Sequence, residues 1–154
     1  LVAGGADVNQ AGADNTSPLL IAIVNGHYTL AKKLIDRGVK VDDGSLYIAV
    51  DTRNLGYYAQ RPNPPEKDGL VSSLDVIAAL LDHLFQRRGL DARPDLVTWL
   101  STRIERSHII VQRVVDALDQ EVLESRKRLS IPLARTVLTA AGIVTQPQPL
   151  LPMT

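Results

Sequence analysis

The sequence contains no cysteine, few aromatic residues and no excess of charge of either sign. The absence of cysteine excludes a disulfide framework, a thiolate nucleophile and a Cys-ligated zinc site. Basic and acidic residues number 17 each, so no net charge draws the chain toward nucleic acid or an anionic membrane. The longest apolar run, residues 18–24, is far shorter than the ~20 residues that cross a bilayer. We therefore expect a cytoplasmic protein without membrane or nucleic-acid partners.

Length and composition are those of a folded protein. The chain has 154 residues, of which 45% are hydrophobic and 22% charged, and this is sufficient for one ordinary domain or two very small ones. The sequence starts at Leu1 in the middle of a repeated pattern. We therefore expect it to be a fragment of a longer protein.

A motif recurs in the first half of the sequence with a period of 33 residues. The segment GADVN at 5–9 returns as GVKVD at 38–42. Between the two copies, Ser17-Pro18 is typical of a helix start and Asn25-Gly26 of a helix break, and a second amphipathic segment ends at Gly38. The apolar positions Leu19, Ile21, Ala22 and Ile23 are assigned to the core of the first helix, and Leu30, Ala31, Leu34 and Ile35 to that of the second.

The stretch TSPLLIAIVNGHYTLAKKLIDRG at 16–38 resembles an ankyrin repeat, with Leu20 where the family usually has histidine. A further copy begins with LYIA at 46–49, and its second helix continues with LLD at 80–82. The extra residues between these helices contain Pro62, Pro64 and Pro65, which predict a projecting loop at about 54–72.

The ankyrin resemblance implies a scaffold that binds other proteins through its turns and the exposed side of its first helices. On that basis the candidate contact residues are Asp14, Asn25, Asp43, Arg53, Tyr57 and Tyr58. A stable solenoid generally needs three or more stacked units with polar caps, so we expect marginal stability for this short, uncapped one.

One amphipathic helix is predicted at about 73–88, with Ser73 as its cap. Its apolar stripe continues without a change of phase beyond residue 83, where the ankyrin pattern stops; the stripe comprises Leu74, Ile77, Ala78, Leu81, Leu84 and Phe85. Three more helices follow by pattern, starting near Pro94, Ser107 and Ser130, and the last ends at Gly142. Trp99, the only tryptophan, is interpreted as a buried or half-buried anchor.

Residues 84–138 resemble the helical lid of bacterial AAA+ replication initiators of the DnaA type, and most of all their regulatory homologue Hda. The segments VDALDQ at 115–120 and RKRLSIPLARTVL at 126–138 carry the likeness. In that family the lid closes over ATP, and an arginine at the start of its long helix faces the phosphates. Ile109 occupies that position here, and Arg106 lies three residues earlier. The sequence also has no G-x-x-x-x-G-K-[ST] loop.

These patterns predict an all-α chain with ankyrin-like repeats at 1–83, a lid-like helical bundle at 84–142 and a flexible tail at 143–154. His27, His83 and His108 have no partners at catalytic or metal-binding spacing, so we expect no enzyme activity, no catalytic residue, no metal and no cofactor. The main hypothesis is a protein-interaction module. The alternatives are regulation of replication initiation through an initiator ATPase, and an accidental fusion without a selected role.

Overall fold

The computed structural model describes residues 2–41, 43–59, 70–103 and 108–143, and the regular elements among them are all helical. For residues 2, 43, 54–59, 108 and 109 it describes the backbone alone. A short 3₁₀ turn comes first, and the α-helices follow as α1 Pro18–Val24, α2 Tyr28–Asp36, α3 Asp43–Ala59, α4 Ser73–Arg87, α5 Pro94–Ser101, α6 His108–Ser125 and α7 Ile131–Ala140. The prediction of an all-α fold is confirmed for these residues.

The ends of the first helices follow the predicted local chemistry. The Ser17 hydroxyl accepts a hydrogen bond from the Leu20 amide at 3.2 Å, and Pro18 occupies the first position of α1, where a missing N–H leaves no bond unmade. Gly26 follows the helix with φ of 72°, a conformation that glycine adopts without steric cost. The sequence thus determines where α1 stops and the chain turns into α2.

The first four helices form two stacked pairs. α1 packs on α2 and α3 on α4, while α1 also contacts α3 and α2 contacts α4. The Asn9 side chain accepts a hydrogen bond from the Lys40 amide at 2.6 Å, so the two copies of the turn motif lie next to each other. This is the stacking expected of a repeat.

The helix α3 is longer than predicted. It continues to Ala59 and so includes residues 54–59, which the sequence pattern assigned to the proline-rich loop. The three prolines lie in 60–69, outside the described residues. Proline forbids helix only near its own position, and this is why the helix runs on toward the first of them.

The two halves of the chain share one hydrophobic core. Buried residues of α1 through α7 belong to a single cluster, and besides the contact between α4 and α5 there is a direct one between α3 and α6. Ile143, placed in the predicted tail, packs against this cluster, and its amide donates to the Leu138 carbonyl at 2.8 Å. Residues 144–154 lie outside the described part.

The helix α4 connects the halves as one continuous rod across residue 83, as predicted, but its buried side differs from the predicted stripe. Val76 and Leu80, absent from that stripe, are at most 1% exposed, whereas Leu74, Ala78 and Leu84 are only half-buried. The difference arises because α2, α3 and α5 all pack on α4. The buried part of the helix surface is therefore wider than the predicted stripe and is rotated around the helix axis relative to it.

The cap of α4 also differs from the prediction. Ser72, and not Ser73, begins the helix: its hydroxyl accepts from the Asp75 amide at 3.2 Å, and the Asp75 carboxylate accepts from the Ser72 amide at 2.8 Å. Ser73 is buried, 6% exposed, because it faces α3. These reciprocal bonds form a capping box that fixes the start of the rod.

We predict that a cavity in the first half destabilises the second half as well. Leu19→Ala removes a fully buried side chain from α1 and should cost about 2–5 kcal/mol of unfolding free energy. Because the core is shared, thermal unfolding followed by Trp99 fluorescence should shift down together with unfolding followed by circular dichroism. Ile21→Ala, on the same helix but 48% exposed, is the matched control and should change little. Separate transitions for the two signals would contradict a cooperative unit.

A second prediction concerns acid stability. Hydrogen bonds from the Ser72 amide and hydroxyl, followed by the charge of Lys32, lower the pKa of Asp75 below its ordinary value. A carboxylate with a lowered pKa contributes stability above its ordinary value of 3.8, and this contribution is lost as the pH falls through the lower folded value.

Asp75→Asn should therefore lower the unfolding free energy at neutral pH by about 0.5 kcal/mol in this exposed setting, and should flatten the acid limb of the curve of stability against pH. Asp82→Asn, on the same helix and bonded to Gln86 instead of the cap, provides the comparison. An unchanged acid limb in Asp75→Asn would show that the capping box has no such role.

Candidate interaction surfaces

Two of the predicted contact residues have local structural roles. Asp14 lies in the turn before α1, where its carboxylate accepts from the Thr16 amide at 3.1 Å, and this bond, followed by one from the Thr16 hydroxyl, lowers the pKa of Asp14. Asn25 ends α1, and its side chain donates to the Ile21 carbonyl at 2.8 Å. Both side chains remain exposed, so contact with a partner stays a prediction for them.

The other four candidates belong to α3. Arg53 donates to the Ser73 hydroxyl at 2.6 Å and thereby connects α3 with α4. Asp43 is the first residue of α3, and Tyr57 and Tyr58 lie near its end, with side chains outside the described part. The six candidates thus fall into one group around α1 and another spread along α3.

An apolar groove at the outer end of the first half was not predicted. Ile21 and Leu30 are 48% and 49% exposed, although the helical pattern placed both in the core. Together with Pro18, Ala22 and His27 they line a groove of about 490 Å³, hereafter the α1/α2 groove. The periodic pattern predicts that these apolar positions face a core. It cannot predict that α3 and α4 cover only one side of the first helix pair.

The end of α4 is bonded to both halves by two consecutive arginines. Arg87 donates to the Val41 carbonyl at 3.2 Å, in the second copy of the turn motif. Arg88 pairs with Asp116 of α6 at 2.6 Å and lies 3.7 Å from Asp119. These bonds connect the two halves of the chain at the protein surface, while the buried residues of α4 connect them in the core.

A tryptophan in the second half lies close to two arginines. Trp99 of α5 is half-buried, as predicted, and the Arg103 guanidinium lies 4.2 Å from the centre of its ring. The Arg135 guanidinium, from α7, lies 6.0 Å from the same centre. Both distances are within the range of cation–π attraction. We refer to Trp99, Arg103 and Arg135 as the Trp99 patch.

The position that carries an arginine in AAA+ lids is only partly described. Ile109 lies in the first turn of α6, with its side chain outside the described part, and Arg106 falls in 104–107, also outside it. Among the described residues, no three histidines, aspartates or glutamates are placed to hold a metal ion. None of the described helices is both long enough and apolar enough to span a membrane.

Comparison with protein families gives a match to part of the chain. The family model of the Hda lid domain matches residues 75–138, from the first turn of α4 to near the end of α7, hereafter the lid-like segment. The resemblance inferred from VDALDQ and the segment after it is therefore confirmed, and it begins nine residues before the predicted boundary at 84, so that α4 belongs to it. No ankyrin repeat family is detected. Neither the curated proteins nor the solved structures contain a match to this chain.

Proposed function

We propose that this protein regulates replication initiation by contacting an initiator ATPase of the DnaA type through its lid-like segment, and that it performs no catalysis itself. The observation that carries the proposal is the match of residues 75–138 to the Hda lid domain. The four helices of this segment form a folded bundle with exposed charged faces, as a binding module requires.

The proposal is tested with the purified full chain and a purified DnaA-type ATPase. The chain should bind the ATPase directly, and the rate of ATP hydrolysis should change when it binds. The full chain is required because the shared core makes it unsafe to assume that either half folds alone. Absence of binding at micromolar concentrations of both proteins would refute the proposal.

Matched surface variants assign the binding to one half. Arg113→Glu with Leu123→Asp alters the exposed side of α6, where Leu123 is 69% exposed. Ile21→Asp with Leu30→Asp alters the α1/α2 groove to a similar extent. We expect the α6 variant to weaken capture of the ATPase and the groove variant to leave it unchanged. The opposite result would transfer the binding to the first half.

The second candidate is a protein-binding scaffold built on the first two helix pairs. The stacking of these pairs through Asn9 and Lys40 and the open α1/α2 groove favour it. In this case the groove variant would lose binding to a partner captured from cell extract while the α6 variant kept it. The third hypothesis, an accidental fusion, is disfavoured by the shared core and by the continuous helix α4, since two unrelated fragments have no reason to pack on each other.

A further inference from the structure

We propose that the Trp99 patch binds acidic side chains of a partner protein. The inference takes the lid-like segment as the interacting part of the chain, and in that respect it rests on the proposed function. The Trp99 patch specifies one surface of that segment and the chemical class of its ligand.

The geometry brings two cations to one aromatic ring. Arg103 lies two residues after the end of α5 and Arg135 lies in the middle of α7, yet their guanidinium groups lie 4.2 Å and 6.0 Å from the centre of the Trp99 ring. Both arginines are exposed, so their outer N–H groups face solvent. The packing of α5 on α7 creates this arrangement, since the residues are far apart in sequence.

The two arginines differ from their neighbours in lacking a carboxylate. Arg88, Arg93 and Arg128 each form an ion pair, with Asp116, Asp95 and Asp91 respectively. Neither Arg103 nor Arg135 forms one with any carboxylate in the described part of the chain, where the bonds of Arg103 go only to the Trp99 carbonyl and the Thr102 hydroxyl. Within the described part of the chain, these two like charges near one ring therefore have no carboxylate to balance them.

The chemistry of the patch favours a protein carboxylate as its ligand. A guanidinium group can donate two parallel hydrogen bonds to the two oxygens of one carboxylate. The indole supplies a rigid apolar surface beside it. Tryptophan and arginine are also the side chains that most often dominate the energy of protein interfaces. Two cations are too few for the repeated phosphate contacts on which nucleic-acid binding depends.

In the described part of the chain, the Trp99 indole makes no hydrogen bond that would compete with a ligand. Trp99 Nε1 is buried and has no partner among the described residues, so packing and the two guanidinium groups position the ring. Any ligand that draws the arginines away from the ring changes the surroundings of Trp99. Since it is the only tryptophan, its fluorescence reports on this patch alone.

The test is a fluorescence titration of the full chain with poly-L-glutamate at low ionic strength. We expect a saturable change in Trp99 emission that weakens with added salt. In Arg103→Gln with Arg135→Gln the affinity should fall about tenfold, because both charge-assisted contacts are lost. The double lysine variant keeps the charge and should recover part of the affinity.

Two controls separate the patch from general effects of charge and folding. Lys33→Gln with Arg37→Gln removes the same charge from α2 and the residue that follows it, on the first helix pair, and this variant should bind as the unaltered chain does. Arg135→Gln alone should also weaken binding, and it leaves the contact of Arg103 with the end of α5 in place. Circular dichroism checks that each variant is folded.

Several outcomes would overturn the inference. These are no emission change with poly-L-glutamate, equal affinity in the arginine variants, or an equal response to inorganic pyrophosphate, which would identify a general anion site.

Binding of the initiator ATPase is measured in parallel. Glutamate binding without ATPase binding would refute the proposed function and leave the patch. ATPase binding that is unaffected by the arginine variants, with no glutamate binding, would refute the patch and leave the function.

Discussion

The burial of α4 on several sides is the constraint on which the rest of the structure depends. Val76, Ile77, Leu80, Leu81 and Phe85 are each at most 1% exposed, because α2 and α3 cover one part of the helix and α5 another. A helix buried over so wide an arc cannot shift or rotate without opening cavities on both sides. The stacked pairs and the lid-like bundle are therefore held in one fixed relation, and neither has a core of its own.

The capping box and the terminal arginines act on the same helix from its two ends. Ser72 and Asp75 fix where α4 begins, while Arg87 and Arg88 bond its end to the turn motif and to α6. These polar contacts are partly exposed and each contributes little free energy, so their main effect is on register. Under the proposed function, a partner bound to the lid-like segment would contact a surface whose orientation the first half helps to fix.

The candidate functional features differ in how far the sequence alone could identify them. The lid resemblance could be recognised from VDALDQ and RKRLSIPLARTVL because a contiguous stretch carries it. The ankyrin resemblance has no family match, although the helix break at Asn25-Gly26 was predicted from local sequence. Arg53 was selected as a contact candidate, and the structure shows that it donates to the Ser73 hydroxyl between α3 and α4, while contact with a partner stays a prediction for it. The Trp99 patch was missed because Trp99 and Arg135 lie 36 positions apart and meet only when α5 packs on α7.

By itself the sequence determined most of the helical segments, apart from the end of α3, as well as where α1 begins and ends and that one helix continues through residue 83. Caps, glycine turns and apolar periodicity act over a few residues, so they can be identified from neighbouring positions. Only the tertiary structure decided which apolar residues are buried. Ile21 and Leu30 are exposed while Val76 and Leu80 are not, because burial depends on how many other helices cover each face, and those helices come from distant parts of the chain.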